Sequence, residues 1–474
     1  MDRVETRGHV VVIGGGITGL VAAHRLTHPA SGSPTRVTVI EADDRCGGKI
    51  RTSSFAGVEG VDEGPDSYLA RVIAAGRLSR ELGLGDTLTN PTDAHACVMH
   101  AGLHPIPAGL MMGVPTGVGS LARSGLLTWR GKVRAALEPV LPSSGDHGDS
   151  VGTFVRQRFG KQVHELLVDP LVGGIYAADT NNFSLATVPQ LADLAGGRSV
   201  LLTARRRLRL APPTSGPVFE TPRAGLSAII DSLVRSITEA SGSILTSTSV
   251  AEVVKVEHGL RVHTNDGRAI AADAVIVTSP AAMSADMMRT LSTEVASTLA
   301  ATEHASVVMV TMRIPTHERF TDMSGYLVPK PDQQRVTAVS FGSNKWAHWR
   351  PADGTTIVRA SLGRDGVPTR DLTDEWDDDR LVRRVVDEMR THTGVDVSPL
   401  QYRVTRWPAS FPQYRPRHLD RIDDIERALA NTTPTVLLAG ASMRGIGIAS
   451  CITQAEAAAT RTLATLADAT HLRD

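Results

Sequence analysis

The chain has 474 residues, more than a single hydrophobic core usually supports, so two or three domains are expected. It carries 50 basic and 50 acidic residues, a balance that offers no electrostatic case for a nucleic-acid partner. No apolar run approaches the roughly 18 residues needed to cross a bilayer, and the isolated cysteines Cys46, Cys97 and Cys451 fit neither a disulfide framework nor a zinc site, so a reducing cytoplasm is the expected compartment.

Residues 10–13, Val-Val-Val-Ile, form a β-branched run suited to a buried parallel strand, and 17–26 has the apolar spacing of a helix. Between them Gly14, Gly16 and Gly19 spell Gly-x-Gly-x-x-Gly: a tight bend, a close backbone approach to a pyrophosphate, and close helix-to-strand packing. The helix N-terminus then offers free N–H groups to that phosphate. A second apolar run, Val37-Thr38-Val39-Ile40, ends in Glu41 about 20 residues downstream, where an acid accepts from a ribose 2′-OH. Glu41 and Ala42 then open a longer pattern through Arg45, Gly47, Gly48 and Lys49 to Thr52, Glu-Ala-x-x-Arg-x-Gly-Gly-x-x-x-Thr. A nicotinamide site has no need of this second glycine pair. The pattern is similar to that of the amine oxidase and phytoene desaturase flavoproteins, and so favours FAD over NAD.

Residues 91–214 differ in character, because Pro105, Pro107, Pro115, Pro139 and Pro142 interrupt short helical patterns such as 129–137 and 151–168, as in an inserted, mostly helical domain. The basic run Arg205-Arg206-Arg207-Leu208-Arg209 reads as a solvated loop in a neutral chain rather than a contact for anionic lipid or a partner. From 243 to 278 the pattern returns to strands, with Asn265-Asp266-Gly267 as a hairpin turn and 274–278 as a buried strand. Strands at 306–312, 335–341 and 356–362 precede a helix with Leu381, Val382, Val385, Val386 and Met389 on one face, opened by the acidic run Asp374, Glu375, Asp377, Asp378 and Asp379. A strand at 435–439 leads through three glycines, Gly440, Gly445 and Gly447, to an alanine-rich helix at 449–466. This junction again sets bare amides at a helix N-terminus, suited in a flavin enzyme to charge developing at the N1/O2 edge of the ring.

Over nearly its full length the chain resembles the FAD-dependent protoporphyrinogen and coproporphyrinogen oxidases of haem biosynthesis. The matching stretches are Asp62-Glu63-Gly64-Pro65-Asp66-Ser67-Tyr68-Leu69, Leu103-His104-Pro105-Ile106-Pro107, Asp169-Pro170-Leu171-Val172-Gly173-Gly174-Ile175-Tyr176-Ala177, Val404-Thr405-Arg406-Trp407 and Cys451-Ile452. The Gly-Pro-Asp-Ser-Tyr form looks most like the Gram-positive, coproporphyrinogen-type branch. The resemblance implies an α/β and α+β architecture, in which an FAD-binding Rossmann-like domain of the amine oxidase or p-hydroxybenzoate hydroxylase type receives two insertions. The expected division is 1–90, 215–290 and 400–474 for the discontinuous FAD-binding domain, 91–214 for the helical insertion, and 291–399 for a sheet-plus-helix substrate domain.

The resemblance also implies non-covalent FAD held by Gly14, Gly15, Gly16, Ile17, Thr18, Gly19, Glu41, Ala42, Lys49, Gly64, Pro65, Asp66, Ser67, Val250, Trp407, Ile446, Gly447 and Ile448. It implies oxidation of coproporphyrinogen III to coproporphyrin III, with dioxygen reduced to hydrogen peroxide and a downstream ferrochelatase as a partner. Protoporphyrinogen IX oxidation, or another amine oxidase-like or phytoene desaturase-like chemistry, stands as the alternative. For a substrate bearing four propionates, Arg71 is the candidate cation at the pocket mouth and Tyr176 a candidate wall. Flavin chemistry of this kind needs positioning more than a dedicated acid or base. No catalytic residue and no metal ligand is therefore assigned, and His24, His164 and His348 read as core or surface residues. Family members usually carry Gly-Asp after Ile-Tyr-Ala; Ala178-Asp179 here puts close backbone approach to substrate at Ala178 in question. Peripheral contact with a membrane is compatible with the same reading.

Overall fold

The structure is a computed structural model that describes residues 8–29, 35–141, 146–210 and 216–471; Pro142 lies outside them. At its centre is a five-stranded parallel sheet in the order Ser243–Leu245, Arg36–Ile40, His9–Ile13, Ala274–Val277, Val436–Leu438. The unbroken apolar run at 10–13 has a direct cause. Val10 and Val12 face the helices Ile17–Thr27, Ser227–Glu239 and Ile448–His471, while Val11 and Ile13 face the antiparallel strands Val250–Lys255, Leu260–Thr264 and Ala269–Ala272 and the helices beyond them. Both faces of this strand are covered, so neither can carry polar side chains.

The second sheet has seven strands, in the order Gln401–Pro412, His304–Ile314, Thr356–Leu362, Val336–Phe341, Met323–Leu327, His95–Met99, Leu103–Pro105. It therefore reaches beyond residues 291–399, drawing strands from both flanking segments. The helix Asp378–Thr393 packs against it through Leu381, Val382, Val385 and Met389. Asp377 caps that helix by accepting from the Arg380 N–H at 2.7 Å, with Asp378 and Asp379 in the first turn, which accounts for the last three residues of the acidic run.

The helical unit is built around Phe154, Phe159, Leu167, Phe183 and their neighbours. The helix expected over 151–168 divides at Gly160, whose φ of +88° ends Val151–Phe159; a further helix, Asp169–Tyr176, follows. The basic run 205–209 is not a loop but the second half of the helix Val200–Leu210. What fixes this helix is Glu138, which is fully buried. Its carboxylate accepts from Arg158 Nε (2.8 Å), Ser199 Oγ (2.6 Å) and the backbone N–H groups of Val200 (2.8 Å) and Leu201 (3.2 Å). Glu138→Ala strands a buried guanidinium and two helix-terminal amides. It is expected to cost about 3–5 kcal/mol of stability, read as a lowered urea midpoint of the helical unit; a loss below about 1 kcal/mol would show that Arg158 finds another acceptor.

Candidate functional site

The first glycine turn leaves the sheet at Ile13. A Cβ on Gly19 would lie 1.9 Å from the Gly14 carbonyl oxygen, so only glycine lets the helix Ile17–Thr27 begin so close to the strand. Gly16 caps this helix without any side-chain cap, and a Cβ added there would meet nothing within 4 Å. The helix N-terminus thus opens on free space with its amide donors uncommitted to a side chain. Glu41 closes one side of the turn: its Oε2 accepts from the Gly15 N–H at 2.6 Å and its Oε1 from the Asp43 N–H at 2.9 Å. The second glycine pair lies against the first, the Gly47 N–H donating to the Gly15 carbonyl at 2.9 Å. Arg45 folds that second turn by donating to the carbonyls of Cys46, Gly48 and Ile50, which explains its place in the longer pattern. Val250 is buried at the same end of the sheet, two residues beyond Thr248, whose N–H donates to the Glu41 carbonyl at 2.9 Å.

The Asp62–Ser67 stretch brings in distant segments. Burial pushes Asp62 up to about 7, against the hydrogen bonds from the Thr52 hydroxyl and the Leu226 N–H. Glu63 accepts from Ser53 Oγ (2.8 Å) and Thr405 Oγ1 (3.0 Å). At Gly64 a Cβ would come within 2.4 Å of the Lys49 carbonyl and 3.5 Å of the Trp407 ring, so Lys49, Gly64 and Trp407 converge at one point. Burial opposes ionisation of Asp66, but the charges of Lys345 and Arg359 outweigh it and hold the carboxyl well below its usual range. Asp66 accepts from Lys345 Nζ (2.8 Å) and Trp346 Nε1 (3.2 Å), so its side chain is committed to the short helix Gly342–Lys345 that follows the strand Val336–Phe341.

The third segment is the 440–448 junction. Thr18 on the first helix lies 3.5 Å from where a Gly440 Cβ would be, joining the two ends of the chain. Gln454 Oε1 accepts from the Gly440 N–H (3.3 Å) and the Arg444 N–H (3.2 Å), holding the junction in shape ahead of the helix Ile448–His471. A Cβ on Gly447 would meet nothing within 4 Å. Lys49 approaches from the other side. Burial lowers its ammonium below the ordinary range, burial with a smaller push from the Lys49 charge also depresses His304, and among the described residues no acidic side chain pairs with Lys49. An unpaired cation therefore acts on Cys451 in the first turn of the helix Ile448–His471, an arrangement suited to an anionic group or an electron-accepting ring.

Tyr176 stands on the wall of the helical unit facing this junction, packed against the same core as Ile446, with its ring 4.9 Å from Phe183 and 6.4 Å from Tyr414. Burial raises its phenol. Tyr414, whose hydroxyl donates to the Ala441 carbonyl, joins that wall to the junction, and no sequence motif singled it out. The Ala178 methyl is accommodated: the residue is fully buried in the helical core and its carbonyl accepts from Arg364, so it faces protein. Arg364 also holds Asp169 at 3.0 and 2.9 Å, which places the Asp169–Tyr176 helix. Arg71 stands apart. It is exposed on the turn between Tyr68–Leu69 and Ile73–Glu81, and among the described residues no hydrogen bond or ring contact ties it to Tyr176. His24 and His164 are buried and pushed down to about 4 by that burial, bonded to Ser236 and Thr180, while His348 lies between Trp346 and Trp349.

The residues fit a flavin dinucleotide. The uncapped helix at Gly16, the acid at Glu41, the open space at Gly16 and Gly447 and the unpaired Lys49 together provide a phosphate cradle, a ribose acceptor and a positive field for the ring. The model of the family described as flavin containing amine oxidoreductase matches residues 17–463. A coproporphyrinogen III oxidase from Bacillus subtilis (strain 168) is 33% identical, the match covering 96% of this chain and 97% of the relative. One from Propionibacterium freudenreichii subsp. freudenreichii is also 33% identical, over 94% and 89%. A crystal structure of a candidate protoporphyrinogen oxidase from Exiguobacterium sp. 255-15 superposes with a TM-score of 0.82 at 28% identity, covering 97% of this chain and 99% of that one. The expected fold class and the resemblance drawn from the motifs are both borne out, and the chain belongs to the flavin containing amine oxidoreductases, among relatives named as coproporphyrinogen III oxidases.

Proposed function

We propose that this chain oxidises coproporphyrinogen III to coproporphyrin III, using non-covalent FAD and passing the electrons to dioxygen with release of hydrogen peroxide. One observation carries the reading: the match to the Bacillus subtilis coproporphyrinogen III oxidase spans 96% of this chain at 33% identity. When bound, FAD accepts two electrons from the substrate at each step and delivers them to dioxygen. Glu41, Gly15, Gly16 and the uncapped helix would hold its dinucleotide half, and Lys49 with the N-terminus of Ile448–His471 would hold negative charge at the ring. Cys451 turns its thiol toward the Gly445 and Ile446 carbonyls of its own turn, which favours a cofactor without a thioether link. Tyr176, backed by the buried rings of Phe183 and Tyr414, provides an aromatic wall for a macrocycle, and Arg71 a cation for a propionate. The protein positions the ring and excludes water; it supplies no dedicated base. The product passes to a ferrochelatase, and the chain works in the cytoplasm.

Protoporphyrinogen IX oxidation is the second reading, favoured by the Exiguobacterium structure. The FAD-loaded protein should turn coproporphyrinogen III into a fluorescent porphyrin faster than protoporphyrinogen IX; the opposite order of kcat/KM selects the second reading, and no fluorescence from either removes both. Gly16→Ala adds a methyl where nothing touches it. The apoprotein should keep its stability within about 0.5 kcal/mol, while FAD binds at least about tenfold more weakly, a loss of about 1.4 kcal/mol. Unchanged FAD affinity would place the pyrophosphate elsewhere. Arg71→Ala should raise KM for the tetracarboxylate by roughly tenfold with little change in kcat, and an unchanged KM assigns the carboxylates to other cations.

A further inference from the structure

The helix Asp169–Tyr176 ends on a strip that the protein leaves uncovered. Gly174 and Ile175 are exposed, Ile175 by 47%, and outside its own helix a Cβ added at Gly174 would meet only the Leu327 side chain, at 3.7 Å. Three residues beyond Leu327, in the turn between the strands Met323–Leu327 and Val336–Phe341, Lys330 donates to Asp179 Oδ2 at 2.7 Å. Asp179 lies three residues beyond Tyr176. The two segments are thus joined at Gly174 with Leu327 and again at Asp179 with Lys330, which sets the ammonium at the end of the helix that carries the Tyr176 wall.

This ion pair leaves donors over. An ammonium has three N–H bonds, and among the described residues the Lys330 side chain gives one to Asp179 and none elsewhere. Its side chain is 37% exposed, so the other two are open to a ligand. Asp179 does not cancel the charge alone, because its second oxygen accepts from the Asn181 N–H (3.1 Å) and Asn181 Nδ2 (2.9 Å). Burial opposes ionisation of Asp179, but the hydrogen bonds from Lys330 and the Asn181 N–H outweigh it and hold the carboxyl below its usual range. Asp332, two residues beyond Lys330, turns to His100 at 2.8 Å. Neighbouring cations are committed: buried Arg364 to Asp169 and the Ala178 carbonyl, and Arg415 to Glu303 and, at 2.6 Å, to Asp365. A half-exposed pair such as Lys330 with Asp179 adds little to stability, so an arriving anion can share the ammonium without breaking a costly contact. For a macrocycle with four carboxylate arms laid against Tyr176, Arg71 stands apart from that wall, whereas Lys330 is tied to it.

We propose that Lys330 receives one carboxylate arm of the substrate, with Asp179 aiming the ammonium and the uncovered strip at Gly174, Ile175 and Leu327 lying under the ring. The assignment rests on the porphyrinogen reading above. Its test is titration of the FAD-loaded full chain with coproporphyrin III, followed by porphyrin absorbance, in the parent and in Lys330→Met. The variant should bind coproporphyrin III roughly tenfold more weakly, as expected for loss of one charge-assisted contact, and KM for coproporphyrinogen III should rise by a similar factor. Lys330→Arg should restore both. Coproporphyrin III tetramethyl ester, which has no charge to offer, should bind parent and variant alike, and raised salt should weaken the parent's grip on the free acid more than the variant's. Should Lys330→Met fold poorly, Lys330→Gln takes its place. Equal affinity of parent and variant for coproporphyrin III overturns the assignment, as does an equal loss for acid and ester. A lowered Tm with unchanged porphyrin affinity also overturns it and leaves the pair a helix-end contact only. Those results would leave the porphyrinogen reading standing; a parent that neither binds coproporphyrin III nor oxidises either porphyrinogen removes that reading and this assignment together.

Discussion

How near a helix can start to the strand that precedes it decides the geometry of the whole site. Gly19 has no Cβ, so the helix Ile17–Thr27 begins against the Gly14 carbonyl, and Thr278 can reach over the same point to donate to the Ile13 and Gly14 carbonyls at 2.9 and 3.1 Å. The close start brings Thr18 against Gly440, and with it the C-terminal helix Ile448–His471, which packs along the first helix through Ile452, Ala455 and Ala459. Two helix N-termini distant in sequence thereby open on neighbouring space. A single methyl at position 19 would push the first helix away and separate them, whatever the rest of the chain did.

The remaining walls are fixed by buried charge rather than by apolar packing alone. Glu63 is held by Ser53 and Thr405, Asp66 by Lys345 and Trp346, and Asp169 by Arg364. Each pair joins elements that different hydrophobic clusters would otherwise leave free to slide. Buried pairs of this kind add little net stability over an apolar contact, yet breaking one is costly, so their effect is to select one register among several compact ones. Gly64 and Tyr176 inherit their positions from those registers. For a reaction that depends on holding a flat macrocycle against a ring, register is the quantity that matters.

What could be read from the sequence follows the range of the contacts involved. The dinucleotide turn, Glu41 and the second glycine pair lie within 40 residues of one another, and their chemistry is local, so the pattern of letters contains them. The parallel strands were legible because both their faces are covered, as was the helix Asp378–Thr393, whose apolar residues share one face. Glu63, Asp66 and Asp169 were visible as letters within motifs, but their partners are remote in sequence and no periodicity links them. Tyr414 and His304 had no motif at all. The strands His95–Met99 and Leu103–Pro105 were hidden by Pro105 and Pro107, which an edge strand tolerates. The strand Gln401–Pro412 was hidden by its partial cover, which breaks the expected alternation. In the case of 205–209, charge density suggested a loop. It is helical because Glu138 receives the N-terminal amides from outside the helix, a contribution that local propensity cannot contain.

Glu138 also sets the character of the outer face of the helical unit. Its burial removes the one negative charge from the stripe at 129–140 and commits it to Arg158 and the start of the arginine helix, so the same interaction that builds the unit leaves its outer face uniformly basic and apolar. That unit is continuous with the site: Phe154, Leu167, Phe183 and Tyr414 belong to one core, against which Tyr176 and Ile446 are packed. A close-packed core transmits displacement instead of absorbing it. The outer face of the unit and the Tyr176 wall are therefore parts of one rigid body, so a displacement at one is felt at the other.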